Sequence, residues 1–393
     1  MAITLKNFTE LPMMRFSNLD NQGREFGIIM VKCAFDYTND GVFKPSFEQE
    51  PFCFTDEFYG ELNKTSVKQP SDLVSYKPET DIIINAITYA PNNELASSWE
   101  FGFQITDQNG TDFFKKLKAY GPRFWVPKWK KSLNEEEQLD WKDHINYFDG
   151  WSLSEAEKIK SVPIRYEYAY GGTIEKIVDD KTIIDAFEYN TVGRGRINKQ
   201  FTDHTKPVPA PQIEELGQPV VEPYKDYLPA GFGAIPAAWL PRRKFGGTYD
   251  QNWVDHVWPN WPKDYDFKFN NTSSSQLKTG NFISYHINLK LLNLSVKGNL
   301  EFRIANPIIY TVVTDDMENE TYNNVNLDTI ICDFLDKDIK KWRIFCVWRF
   351  VYNMKNVESI SINKSPDWMR PEHLMPSLLP PPTPDQVAEK MEN

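Results

Sequence analysis

Ser98–Thr106 reads SWEFGFQIT, and its alternation decides the fold class. Trp99, Phe101, Phe103 and Ile105 fall on one face, against Glu100, Gly102 and Gln104 on the other, the pattern of a half-buried antiparallel strand. Upstream, FGIIMVKCAFDY (Phe26–Tyr37) and TDIIINAITY (Thr80–Tyr89) are apolar on both faces and predict strands inside a packed sheet. Downstream, PIRYEYAY alternates again and predicts a strand with Ile164, Tyr166, Tyr168 and Tyr170 on one face. Towards the C-terminus, FISYHINLKLLNLSV, GNLEFRI, PIIYTVVT, DTIICDFL, KKWRIFCVWRFVY and VESISI continue the series. Hairpin turns are expected at Lys297–Gly298–Asn299 and at Asp336–Asp338. Short strands joined in series predict a mainly β protein, an antiparallel β-sandwich or curled sheet with long irregular Pro/Gly-rich loops and a few short helices.

Helix signals are sparse. Ser132 with Glu135, and Ser154 with Glu157, form S-x-x-E capping boxes ahead of apolar residues. Thr383, Pro384 and Gln386 start a last short helix behind the extended MPSLLPPPTP, and a helix this short predicts a frayed tail unless it docks. The patterning divides the chain into a β-rich half with a helical connection (1–178), a Pro-rich loop or linker (179–228), a second β-rich half (229–375) and the Pro-rich tail (376–393).

With 393 residues the chain can bury a large core without staples. Cys33, Cys53, Cys332 and Cys346 stand alone, with no spacing that suits disulfides or zinc, which predicts a reducing compartment. MAITLKNFTELPMMRF lacks the cationic start and apolar core of a secretion signal, and no apolar run is long enough for a membrane helix, so a soluble, cytoplasmic protein is expected. The net charge of −11 argues against nucleic acid as a partner. RFWVPKWKK (Arg123–Lys131) interleaves aromatic residues with cations, but NEEEQLD follows at once, and the cluster reads as an aromatic edge with solvated lysines.

Enzymatic readings fail one by one. GFGAIP (Gly231–Pro236) is bracketed by Pro229, Pro236 and Pro241, so no helix can follow it to bind a phosphate. Gly231 and Gly233 read instead as positive-φ turns or as close approaches to aromatics such as Phe232 and Trp239. Asp255 beside His256 is not a dyad, since sequence neighbours point apart. The histidines at 144, 204, 256, 286 and 373 show no H-x-x-x-H pair, and Cys332 and Cys346 lie in apolar strands where a thiol stays inert. A glycosidase carboxylate pair cannot be chosen from sequence. NWVDHVWPNWPKDYDF has a lectin-like composition, but for Trp253, Trp258 and Trp261 burial under a long loop is the expectation.

Five ordered motifs carry a resemblance: PIRYEYAYGG (163–172), NTVGRG (190–195), PAGFGAIPAAWLPRR (229–243), GTYDQNW (247–253) and PKDYDFKFNN (262–271), preceded by DEFYGELNKTSVKQPSDLVSYKPETDIIINA (56–86). In this order they resemble a bacterial family designated domain of unknown function 2169. Thr191 stands where the family usually has proline and Tyr265 where it has phenylalanine, and the C-terminal tail has no counterpart. Members are encoded with type VI secretion genes. The resemblance implies a cytoplasmic adaptor or chaperone that binds a toxic protein effector, or the spike-tip protein, and loads it onto the secretion spike. It implies no enzyme, with no catalytic residue, cofactor, metal, small-molecule substrate, nucleic acid or membrane.

The motif residues expected to be structural or partner-binding are Tyr166, Glu167, Tyr170, Gly171, Gly172, Asn190, Gly193, Arg194 and Gly195 in the first two motifs. Phe232, Gly233, Trp239, Arg242, Arg243, Gly247, Thr248, Tyr249, Asp250 and Trp253 follow in the next two. PAGFGAIPAAWLPRRKFGGTYD (229–250) is expected to plug the β core with Phe232, Ile235 and Trp239. For Arg242 and Arg243 an internal ion pair, with Asp250 or Glu167 as the acid, ranks above contact with an acidic partner. A carbohydrate-binding or carbohydrate-cleaving sandwich and a permanent baseplate component of an injection machine remain the alternatives.

Overall fold

The computed structural model describes residues 3–20, 22–130, 147–178, 181–365 and 379–389. The strands of its main sheet, numbered in chain order, are β1 (Met13–Leu19), β2 (Glu25–Tyr37), β3 (Val42–Pro45), β4 (Asp81–Tyr89), β5 (Ser98–Thr106), β6 (Asp112–Tyr120), β7 (Ser161–Pro163), β8 (Ile213–Glu215), β9 (Ile287–Leu292), β10 (Leu300–Ile304), β11 (Asn326–Phe334) and β12 (Arg343–Tyr352). Their lateral order is β7-β4-β11-β12-β2-β3-β10-β9-β5-β6-β8, with β1 paired to the first half of β2. The protein is mainly β, and this sheet is strongly curled. Most neighbours are antiparallel, but β4 runs parallel to β11 and β3 parallel to β10, so the sheet is mixed.

The strands that are apolar on both faces owe that pattern to two covers. In β4, Ile82, Ile84 and Ala86 enter the main core while Ile83 packs on the opposite side with Val67, Ala234 and Ile331. In β2, Ile29, Val31, Cys33 and Phe35 face the main core, and Phe26, Ile28 and Met30 form an outer cluster with Val351 and Val387. A four-stranded sheet (Thr4–Asn7, Val357–Lys364, Ile309–Asp315, Glu320–Asn324) contributes Ile309, Ile360 and Ile362 to the same core, which gives the fold its sandwich character. A smaller sheet (Phe124–Trp129, Phe148–Leu153, Val208–Pro209) frames a satellite core of Trp125, Trp151, Tyr170 and Phe187.

Both expected hairpins form: β9 pairs with β10, and β11 with β12. PIRYEYAY is a different matter, because only Ser161–Pro163 and Tyr170–Gly171 are extended and Tyr166–Tyr168 closes a 3-10 turn. The Asn190 side chain causes the bend by donating to the Tyr166 carbonyl at 2.8 Å and the Tyr170 carbonyl at 3.0 Å. No helix follows Ser154; its hydroxyl accepts from the Phe124 amide and Ile159 bridges to Ala96. The helix expected after Ser132 lies outside the described residues. In the RFWVPKWKK segment, Arg123 and Trp125 are buried, and Arg123 pairs with Glu214.

Two α-helices occur among the described residues, α1 (Gln251–His256) and α2 (Pro384–Glu389). At α2 the capping box is made: Thr383 N donates to Gln386 Oε1 at 2.9 Å and Gln386 N donates to Thr383 Oγ1 at 3.4 Å. The tail is docked where fraying was expected. Val387 is buried in the outer cluster on β2, and Leu379 exchanges backbone hydrogen bonds of 2.9 Å with Tyr322 and Asn324 on the edge of the four-stranded sheet.

Candidate functional site

The motif residues meet in one region built in three layers. Its inner layer is a knot around Tyr166 and Asn190, both fully enclosed. Tyr166 donates its hydroxyl to the Gly233 carbonyl at 3.2 Å, and the Trp239 ring meets it edge-on at 5.7 Å. A Cβ at Gly231 would stand 2.8 Å from the Tyr166 ring, so this glycine answers to close approach and not to a positive φ; the aromatic concerned is Tyr166. Gly171, Gly172 and Gly195 do take positive φ. A side chain at Gly171 or Gly193 would collide with Asn190. Arg194 donates its Nε to the Glu167 carbonyl at 2.6 Å and lies over the Tyr168 ring at 4.5 Å. The Glu167 carboxylate binds Ser66 through its amide and hydroxyl, and Tyr170 donates its hydroxyl to the Lys225 carbonyl at 2.9 Å.

The middle layer is the Pro/Gly stretch itself. Phe232 enters the sheet edge-on against Phe101 at 5.5 Å and Phe103 at 4.9 Å, and Ile235 and Trp239 are buried with it. Prolines bar a helix here, so the chain spends its backbone bonds on neighbours: Ile84 N donates to Phe232 O at 2.9 Å and Ile235 N to Thr272 O at 2.7 Å. Neither expected arginine pair forms. Arg242 donates Nε to the Phe269 carbonyl at 2.8 Å and Nη1 to the Ile235 carbonyl at 2.7 Å. Desolvation lowers its pKa. Arg243 is exposed and pairs with Glu188 at 2.7 Å. Asp250 is occupied elsewhere, as the N-cap of α1, accepting from Trp253 N at 2.9 Å.

The outer layer faces solvent. Gly247, at φ 86°, lets Thr248 turn its amide and hydroxyl onto Asp264 at 3.0 and 2.7 Å. These bonds hold the Asp264 carboxyl below its usual range. Trp253 is half-buried, donating its indole to the Asn260 carbonyl at 2.9 Å and meeting Tyr249 edge-on at 4.7 Å. The Trp/Pro segment is only partly the expected plug, because Trp258 is 68% exposed, beside Tyr249 at 54% and Val254 at 53%. A cleft of about 340 Å³ opens around Phe245, lined by Arg242, Lys244, Lys268 and Lys278 among others.

Burial pushes the Cys33 thiol up to about 12 and the Cys53 thiol to about 11, and Cys332 and Cys346 are raised too, so all four stay protonated at neutral pH. Among the described residues no group of three His, Cys, Asp or Glu is arranged to hold a metal ion. Asp255 and His256 each bond within α1, to Gln251 and Asn252. No helix among the described residues is long and apolar enough to cross a membrane.

Residues 22–349 match the model of a family described as an uncharacterized protein conserved in bacteria (DUF2169). The chain belongs to this family. No curated protein and no solved structure matches it. The DUF2169 match takes in every motif from Asp56 to Asn271, and the tail that docks through Val387 lies beyond it.

Sequence reasoning missed two groups. Lys77–Asp81 (2.8 Å) and Lys32–Asp72 (2.7 Å) are buried ion pairs that pin the motif loops to the sheet, and Arg349, paired with Asp328 on the neighbouring strand, also donates to the Asp72 carbonyl at 2.8 Å. The signal was a lone ionisable residue inside an apolar run, as Lys32 is in FGIIMVKCAFDY. The other group is the cationic cleft: Arg242 and Lys244 stand out in the sequence, but Lys268 and Lys278, which join them there, carried no signal.

Proposed function

We propose that the protein is an adaptor that binds a toxic effector, or the spike-tip protein that carries it, and loads it onto a type VI secretion spike in the cytoplasm. The acidic charge and the inert thiols are in keeping with this reading, which starts from the resemblance of the ordered motifs to a family encoded with type VI secretion genes. The single observation that carries it is the exposed group of Tyr249, Val254 and Trp258. Apolar side chains held out on a stiff mount are costly to leave in water, and aromatic anchors of this kind dominate protein interfaces. The mount is stiff because Asp250 caps α1, Trp253 bonds to Asn260 and Thr248 is clamped by Asp264.

Co-expression with the products of adjacent genes, followed by size exclusion, tests the reading. A co-migrating complex is expected, and Trp258→Ala should weaken it by about 2 kcal/mol, roughly thirtyfold in Kd, with Tm unchanged. No complex with any adjacent product would overturn it. The exposed ring of Trp258 also favours a second reading, sugar stacking. Saturable quenching of tryptophan fluorescence by glycans, abolished in Trp258→Ala, would establish that reading in its place.

A further inference from the structure

Phe245 sits at the centre of an unusual charge distribution. The ammonium groups of Lys244, Lys268 and Lys278 approach its ring at 5.6, 5.9 and 5.7 Å, and the fixed guanidinium of Arg242 lines the same cleft. The carboxylates nearby are already engaged. Glu79 accepts from Gly280 N at 2.7 Å, Asp266 pairs with Lys268 at 3.3 Å, and beneath Arg242 Asp81 is matched by Lys77 and Asp56 accepts from Ser71 N. Lys244 and Lys278 have no carboxylate within salt-bridge reach among the described residues. In a molecule of net charge −11, three clustered lysines without enough acids to match them are held together against their own repulsion.

The rest of the lining sets Tyr189, Leu228, Ile235 and Pro241 around Phe245, with Asn271, Ser273 and the single carboxylate of Glu79, too few acids for the four cations. That mixture selects among anions. A phosphate-rich polymer needs a track of cations, and the molecule's overall negative charge repels it. A peptide that offers one apolar side chain between carboxylates satisfies both the wall and the lysines.

We propose that the cleft around Phe245 receives an acidic segment of a protein partner, an apolar side chain flanked by Asp or Glu, with Lys244 and Lys278 as the ion-pair donors. The identity of that partner rests on the adaptor reading, whereas the chemistry of the cleft does not.

The test uses the full chain and a short fluorescein-labelled peptide with a central Phe between glutamates, read by anisotropy, with a lysine-flanked peptide, inorganic phosphate and a single-stranded oligodeoxynucleotide alongside. The glutamate peptide is expected to bind and to weaken with added salt. The double variant Lys244→Glu/Lys278→Glu should lose about tenfold or more in affinity, and Lys244→Arg/Lys278→Arg should retain it. Lys290→Glu, at an exposed position on the β9 surface, should change nothing. Unchanged Tm in each variant shows that folding is intact. Equal binding of the lysine-flanked peptide, displacement by phosphate or the oligonucleotide at matched concentration, or full affinity in the double reversal would overturn the proposal. Peptide binding without any co-migrating effector would keep the cleft and sink the adaptor reading; an effector complex formed by a chain that ignores the peptide would do the reverse.

Discussion

Asn190 holds the turn of the first motif in place. Its amide bridges two carbonyls of the Tyr166–Tyr170 turn, and the bareness of Gly171 and Gly193 makes room for it. Replacing it with alanine orphans the Tyr170 carbonyl and leaves the Tyr166 carbonyl with only the Ala169 amide at 3.1 Å, and an orphaned group costs about 1–3 kcal/mol. Asn190→Ala is therefore expected to lower stability by about 1–3 kcal/mol in urea denaturation, whereas a surface change such as Thr182→Ala should stay within about 0.5 kcal/mol. Asp81 makes a second case at this scale. Burial raises its pKa, but Lys77 and the amides of Thr272 and Ser273 outweigh burial, and the net shift is downward. A carboxyl lowered by folding contributes stability above its unfolded value of about 3.9 and loses it as pH falls through the folded value. Asp81→Asn, which leaves Lys77 buried and unpaired, should cost about 3–5 kcal/mol at pH 7. The gap to wild type should begin to narrow below about pH 4, where the unfolded chain takes up the proton, and close as pH falls through the lower folded value. Urea curves at the two pH values measure both effects.

Elements were legible where one physical rule governed them. SWEFGFQIT became β5 because its alternation matches one buried face, and the two-sided runs became β2 and β4 because each has a cover on both sides. PIRYEYAY failed because alternation cannot register a bend imposed by Asn190 from 20 residues or more away in sequence. Parallel pairing of β4 with β11 was equally unreadable, since the partner lies far along the chain. Of the site, the plug residues Phe232, Ile235 and Trp239 were legible from their apolar character, while the partners of Arg242 were not, because backbone carbonyls leave no mark in a sequence, and Glu188, which pairs with Arg243, lies 55 residues away. The tail belongs to this scale as well. Its Pro-rich approach and six-residue helix looked too short to hold, but Val387 gains a socket made by Phe26, Ile28, Met30 and Val351. Burying one valine contributes about 1.5–3 kcal/mol, enough to hold a short capped helix in place. Val387→Asp is expected to release the segment, seen as rapid proteolytic trimming of the tail, with a loss of no more than about 3 kcal/mol in the body of the protein.

At the scale of the whole molecule, the order of strands in the main sheet is the feature with the widest consequence. β11 and β12, from the last quarter of the chain, lie between β4 and β2, from its first quarter, while β9 and β10 lie between β3 and β5. Neither β-rich half can then satisfy its own backbone, because β2, β4 and β5 would each present an open edge if the second half were removed. The main core draws on both halves in the same way: Phe232, Ile330 and Ile344 pack in one cluster with Ile29, Ile84 and Phe101. Unfolding of the intact chain should therefore show one cooperative transition for the sheet, with near-UV and far-UV circular dichroism changing together. Separate expression of residues 1–228 and 229–393 should give insoluble or molten chains, and co-expression of the two should recover a folded complex through the β4–β11 and β2–β12 pairings. Two soluble halves with independent transitions would contradict the interleaved sheet.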